Sequence, residues 1–453
     1  MKKTVSDWCA RGIFVILVLF MISIGINVIG KLFDRSQDEN KAAAVNWSKL
    51  YPFEEEESEA VPDAGEKGSK SKESSVEKLI TAYVSKISGI EDKISDYAEK
   101  MFFFQKELVM AGSQIENMIG WELESDTAGE TGILYMENGY LTNVKAKAEE
   151  ETIDDLANSV EDLYGYLDES GIPFLYLNAA SKVCRYDRQL PDTVNEHSNE
   201  NADALLEALS KRGVPFIDYR EQMEQASMNH YDYYYKTDLH WTTEAGLWAA
   251  GVLANILNES YGFQFDQNYF DLGNYDITEY KSYWIGTQGR TVTLAKADLE
   301  DWYLMLPKFP TNYTVSAPSR GMELTGTYEE ALYDMEGFSK IASYSGVDYL
   351  NKQDPYACSR ISNYNGLTII TNNLETNNPG KRILMIQDSF GNFMSAYLAA
   401  DVEQVDVIYP KQFTGSIRSY IEQTEPDMVI VLFSQDNIGP VDWETHTSIF
   451  DFR

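Results

Sequence analysis

Two short segments hold residues that could do chemistry together. The first is ILMIQDSFGN, residues 383–392, in which an apolar run enters Asp388-Ser389-Phe390-Gly391-Asn392 and a helical pattern follows. A serine at a strand-to-helix turn sits at the carboxyl edge of a parallel sheet, where such folds bind ligands. Backbone N–H groups at the helix start can stabilise an oxyanion there. The spacing is not that of a G-x-S-x-G elbow, and a serine in this place can also be a plain helix N-cap. The second is YYYKTDLHWTTEAGLWAAGVLANIL, residues 233–257. Here Asp238 stands two residues before His240, and Trp241 and a helix capped by Thr242 or Thr243 follow. A carboxylate beside an imidazole can fix its tautomer and stabilise its protonated form, leaving the other ring nitrogen free to deprotonate a hydroxyl. The alternative is a polar loop capping a helix, with Trp241 in the core. Together the segments supply a nucleophile, a base and an orienter, each at the edge of an element.

The elements that must position them read as α/β. Helix TIDDLANSVEDLYGYLDES ends at Gly171 and strand IPFLYLN follows; helix NADALLEALSKR ends at Gly213 and strand VPFIDY follows. Glycine suits the left-handed residue that ends a helix, and proline blocks its continuation. RILMIQ, QVDVIY and MVIVLF are short apolar strands, with helices FMSAYLAA and SIRSYIEQT between them. Alternating helix and strand with wholly apolar strands predicts a parallel, doubly wound sheet. Upstream, ILYM and YLTN around Asn138-Gly139 predict a hairpin, and VEKLITAYVSKISGIEDKI and MFFFQKELVMAGSQIENMIG read as helices. Residues 264–375 are irregular and rich in Tyr, Asn and Gly, an insertion with some β structure.

The N-terminal part reads differently. Ile13 to Ile29 is almost continuously apolar and flanked by Arg11 and Lys31. That predicts an uncleaved anchor over 12–30, with a secretory signal peptide as the rival. Basic residues before it put the tail 1–11 in the cytoplasm and the rest outside. Residues 31–77, with EEEESE and GEKGSKSKESS, have the composition of a solvated acidic tether. The folded domain is expected over 78–453.

The 453 residues carry a formal charge of −35, a field opposite to what nucleic acid or anionic lipid requires. The four histidines do not stand at metal-ligand spacing, no cofactor motif occurs, and the three cysteines form no CxxC pair. Cys184 and Cys358 are read as separate buried thiols or, alternatively, as one disulfide.

TDLHWTTEAG resembles the signature of the DHHW proteins, a branch of the SGNH-hydrolase-like group that includes the alginate O-acetylation proteins AlgX and AlgJ. Leu239 stands at the signature's second position, which is also not His in the alginate relatives. GKRILMIQDSFGNFMSAYLA resembles the nucleophile segment, and the likeness extends through FLYLNAASKVCRYDRQLP, where Lys182 and Pro191 match recurring positions, and through YWIGTQGRTV. The resemblance implies an SGNH-hydrolase-like (flavodoxin-like) sheet flanked by helices, with Ser389 as nucleophile, His240 as base and Asp238 as orienter. SGNH enzymes of the ordinary order carry their histidine near the C-terminus, which makes His446 the rival base. Their Gly and Asn oxyanion donors have no clear counterpart; the Ser389 N–H, Gly286 and Asn178 are candidates, and Lys182 and Trp241 are further candidates near substrate.

Three functions follow as expectations. The first is serine-dependent acetyl transfer or hydrolysis on an extracytoplasmic polysaccharide, with a multispanning membrane acyl carrier as the partner the resemblance implies. The second is glycan binding on a catalytically weak or inactive site, with tyrosines as stacking surfaces. The third is a structural envelope protein recruiting partners through its acidic tether and N-terminal helices.

Overall fold

The computed structural model describes residues 132–361, 365–439 and 449–452. All of them lie in one compact unit, Ile87–Arg453. The anchor over 12–30, the tether, the helices expected between 76 and 120, Cys9 and His446 lie outside the described residues. Among the described residues no helix is long and apolar enough to cross a membrane.

In chain order the elements are β1 (Ile133–Tyr135), β2 (Leu141–Asn143), α1 (Glu150–Glu169), β3 (Phe174–Ala179), α2 (Ser198–Lys211), β4 (Phe216–Asp218), α3 (Tyr219–Gln225), α4 (Thr243–Ser260), β5 (Tyr275–Trp284), α5 (Thr287–Val292), β6 (Glu300–Pro307), β7 (Tyr313–Ala317) and β8 (Met322–Gly326). The chain continues through α6 (Met335–Ile341), α7 (Asp348–Asn351), β9 (Leu367–Asn372), β10 (Arg382–Gln387), α8 (Gly391–Leu398), β11 (Gln404–Ile408), α9 (Ile417–Thr424) and β12 (Met428–Ser434).

The main sheet has eight strands in the order β4-β3-β12-β10-β11-β9-β7-β8. The five from β4 to β11 are mutually parallel. Their residues alternate between two cores. Leu175, Leu177, Ile383, Met385, Ile430 and Leu432 face α4, α8 and Trp241. Phe174, Tyr176, Leu384, Ile386, Val429 and Val431 face α1 and α2. With both faces covered, the strands have no polar face to show. Gly171 and Gly213, at φ 71° each, take the left-handed turn after α1 and α2 that an L side chain resists. The expected hairpin is β1–β2, turning at Asn138-Gly139.

The expectation of a parallel sheet needs one correction. Strand β9 pairs antiparallel with β11, and β7 and β8 extend the same edge by antiparallel pairing. These three strands come from the insertion, so the sheet is mixed. Strands β7 and β9 bury every second residue, the alternation expected of antiparallel strands covered on one face. A separate hairpin, β5–β6, also belongs to the insertion. Cys184 and Cys358 are buried free thiols, so of the two readings the disulfide is excluded.

Candidate active site

The turn that carries Ser389 begins where β10 leaves the sheet. Strand β10 lies between β12 and β11, so its end projects from the middle of the sheet's carboxyl edge. Asp388 shapes the turn. Its Oδ1 accepts the Phe390 N–H at 2.9 Å, and its Oδ2 accepts the Ser434 N–H at 2.6 Å and the Asn437 side-chain amide at 2.8 Å. One carboxylate thus ties the turn after β10 to the segment after β12. Burial pushes Asp388 up to about 6, against the opposing effect of those bonds. Gly391 is required by space: a Cβ there would lie 2.3 Å from the side-chain amide of Gln387. Ser389 is not the N-cap of α8; that position is Phe390, and no side chain caps it. The serine is left partly exposed with its hydroxyl free for other work.

The second segment arrives beside it. Trp241 packs edge-on against Phe390 and donates its indole N–H to the Phe390 carbonyl at 3.0 Å. The Thr242 hydroxyl caps α4 by accepting the Ala245 N–H. These contacts hold the bend at 236–240 against the turn that carries Ser389. His240 Nε2 then lies 2.6 Å from Ser389 Oγ, and His240 Nδ1 lies 2.5 Å from Asp238 Oδ1. Asp238 also accepts the His240 N–H at 3.0 Å and, through Oδ2, the Thr287 N–H at 2.7 Å. Burial alone would raise this carboxyl, but His240 and the two backbone N–H donors outweigh it and hold Asp238 well below the usual carboxylate range. An ionised Asp238 can only accept, so Nδ1 carries the proton and Nε2 is bare towards the serine.

Two residues from the insertion complete the site. The Tyr356 ring stacks on His240 with centroids 4.1 Å apart, and its hydroxyl donates to the Ser389 carbonyl at 2.9 Å. Thr287, at the start of α5, supplies the second backbone donor to Asp238. Nothing in the sequence singles out Tyr356 among 30 tyrosines. Thr287 sits in the YWIGTQGRTV segment, where the sequence offers only its neighbour Gly286 as a candidate.

The other sequence candidates serve different ends. Gly286 is not an oxyanion donor, because its N–H is engaged by the Thr237 hydroxyl at 2.8 Å. Its lack of a side chain matters instead, since a Cβ would lie 2.2 Å from that of Asp238. Asn178 is fully buried on β3 and donates to Asp218 at 3.0 Å, so it too is corrected from oxyanion donor to core residue. Lys182 is buried and donates to the Leu141 carbonyl at 2.6 Å and to the Gln288 side chain at 2.8 Å, joining the β1–β2 hairpin to α5. Trp241 is buried and touches the turn that carries Ser389 rather than solvent. The Ser389 N–H donates to no partner among the described residues, which keeps it as the candidate for the oxyanion.

This fold and this hydrogen-bonded Ser–His–Asp chain define an SGNH hydrolase-like domain, and the comparisons agree. Residues 127–324 match the family model of the SGNH hydrolase-like domain, acetyltransferase AlgX. That span includes Asp238 and His240 and ends before Ser389. PatB1 of Bacillus cereus superposes with a TM-score of 0.54 at 20% identity, covering 71% of this chain and 99% of PatB1. The same protein carrying a sulfonyl adduct gives 0.53 at 18%, with the same coverage. A DHHW family protein from Eubacterium siraeum gives 0.49 at 14%, covering 70% of this chain and 95% of its own. No curated protein matches significantly. The chain has the SGNH hydrolase-like fold, and residues 127–324 are similar to the corresponding domain of AlgX, as the motifs led one to expect.

Proposed function

We propose that the protein is a serine-dependent O-acetyltransferase or acetyl esterase acting on polysaccharide outside the cytoplasm. The observation that carries this reading is the chain from Ser389 Oγ through His240 to Asp238, at 2.6 and 2.5 Å. It stands at the carboxyl edge of the sheet, where ligands of such folds bind. The matched family model is named for an acetyltransferase, which favours O-acetyl chemistry over other acyl groups.

As Ser389 Oγ attacks the acetyl carbonyl, His240 Nε2 takes its proton. The resulting imidazolium lies between the Asp238 carboxylate and the Tyr356 ring. The oxyanion forms beside the Ser389 N–H. Collapse expels the donor's alcohol, which leaves with the proton from His240, and the acetyl group remains on Ser389. An acceptor hydroxyl then gives its proton to His240 and attacks that ester, and Ser389 recovers its proton as it leaves. A sugar hydroxyl gives transfer; water gives hydrolysis. The apolar run over 12–30 supports an anchored, extracytoplasmic placement, and an acyl carrier in the same membrane would supply the acetyl group.

The test is acetate release from a small acetyl ester by the full-length protein, with Ser389 followed by mass. Activity lost in Ser389→Ala and His240→Ala but kept in His446→Ala supports the reading. PatB1 is known with a sulfonyl adduct, and a sulfonyl fluoride is accordingly a fitting covalent probe here. No hydrolysis and no labelling of Ser389 would overturn catalysis in favour of glycan binding. Loss in His446→Ala alone would replace the base.

A further inference from the structure

A cleft of about 760 Å³ lies beside the bend that carries Asp238 and contains none of the three reacting side chains. Its volume is in the range of about 300–1,000 Å³ usual for small-ligand sites. The β1–β2 hairpin, the segment 232–237 and the approach to β6 form its walls.

Two tyrosines stand in it half in solvent: Tyr135 is 44% exposed and Tyr303 46%. These are among the few large hydrophobic side chains the described surface leaves so open. Their hydroxyls are already occupied, Tyr135 by the Lys296 carbonyl and Tyr303 by Glu279 at 3.2 Å. What the fixed rings can still offer is their faces. Flat aromatic faces beside polar groups suit ligands that are apolar on one side and polar at the edge, as sugar rings are.

The charges narrow the choice. Asp232, Asp298, Glu300 and Asp301 supply four carboxylates against two ammonium groups, Lys236 and Lys296. Carboxylates accept hydrogen bonds from pairs of sugar hydroxyls, and they repel an anionic polymer. The chain's formal charge of −35 adds to the repulsion. In the same wall the Asn138 side-chain nitrogen is buried with no partner, a donor that is costly to leave unmatched. Glu300 also links the cleft to the chemistry, since it accepts the Lys236 N–H at 2.8 Å and the Thr237 N–H at 3.0 Å. Thr237 precedes Asp238.

We propose that this cleft binds a segment of uncharged polysaccharide, stacked on Tyr135 and Tyr303, and that it discriminates against polyuronates. The proposal rests on the function given above, for which it names the class of acceptor.

Binding can be measured without the chemistry. The full-length Ser389→Ala protein, in a polyoxyethylene detergent that carries no sugar, is titrated calorimetrically with two sets of tetrasaccharides. One set is neutral, built of glucose, mannose, galactose or N-acetylglucosamine; the other is mannuronate and guluronate. At least one neutral tetrasaccharide is expected to bind, and the uronates to bind more weakly at low salt. Tyr135→Ala combined with Tyr303→Ala should weaken binding by about tenfold or more, the order expected for lost aromatic contacts. With Ser389 intact, the same pair should leave hydrolysis of a small aryl acetate unchanged. No neutral ligand binding, uronates binding equally well, or indifference to the tyrosine pair would each overturn the cleft assignment. Binding without any ester hydrolysis would instead overturn the chemistry and leave the cleft standing.

Discussion

Asp238→Asn is the sharpest probe of the proposed chemistry. The carboxylate accepts from three donors: the His240 ring, the His240 N–H and the Thr287 N–H. An amide has one oxygen and one NH2 group, so it can no longer serve both sides. With its oxygen towards His240, the NH2 group opposes the Thr287 N–H. With its oxygen towards Thr287, the NH2 group faces Nδ1, drives the proton to Nε2 and abolishes the base. Two losses add. The charged acceptor that stabilises the imidazolium is worth about 1.5–3 kcal/mol, and the unmatched donor or wrong tautomer costs about 1–3 kcal/mol more. At 1.36 kcal/mol per tenfold, the sum lowers kcat/KM by about 10²–10⁴. The assay is initial-rate hydrolysis of a chromogenic aryl acetate by the full-length protein, beside Ser389→Ala as baseline. The loss should fall on kcat, because Asp238 touches only its partners in the protein. A near-ultraviolet spectrum like that of the parent shows the fold is kept. A loss of less than about tenfold, one step of 1.36 kcal/mol, would refute the argument that this carboxylate orients the base.

Three more outcomes follow from the same geometry. Tyr356→Phe keeps the stack on His240 and loses one neutral hydrogen bond of about 1 kcal/mol, so kcat should fall about fivefold; Tyr356→Leu loses the stack as well and should fall further, and equal rates for the two would deny the ring its part. Gly286→Ala drives a methyl into Asp238, where 2.2 Å is all the room there is; kcat should fall by about 10²-fold, as for ångström-scale misplacement, together with a lower Tm by calorimetry. Asp388→Asn tests the buried second carboxylate through pH. With its folded value raised from 3.8 to about 6, Asp388 keeps its proton where the unfolded chain has lost it. Its stabilising contribution is therefore full below about pH 4 and fades as pH rises through about 6. The stability of wild type minus that of Asp388→Asn, from urea unfolding, should fall by up to about 3 kcal/mol over that interval; a difference that rises with pH would contradict it.

The sequence was most legible where one segment carried its own meaning. Gly171-Ile172-Pro173 and Gly213-Val214-Pro215 mark the ends of α1 and α2 because helix termination is a local event. Asp238 and His240 could be paired for the same reason: two residues on one bend meet without help from the rest of the chain. The mixed edge of the sheet was not legible. The side chains of β7 and β9 alternate, but the pairing of β9 with β11 and of β7 with β9 depends on contacts across 30 or more residues, as between Gln404 and Thr371, and no local pattern encodes direction.

The candidate site was readable by the same measure. Ser389 stands 149 positions from His240, yet each lies in a segment whose residues have a chemical reading alone. Tyr356 and Thr287 have none. A tyrosine becomes a lid on an imidazole only when the insertion folds back over the sheet edge, and a backbone N–H carries no side-chain signature at all. The same holds in reverse for Gly286 and Asn178, whose types suited an oxyanion hole but whose hydrogen bonds go to Thr237 and Asp218. The insertion is therefore part of the proposed machinery: it holds the carboxylate through Thr287, covers the base through Tyr356, and builds one wall of the cleft beside them. Transfer to a sugar asks for what the relay alone does not supply, an acceptor held where water would otherwise react, and among the described residues the insertion, the hairpin it meets and the segment 232–237 form the cleft proposed to hold it.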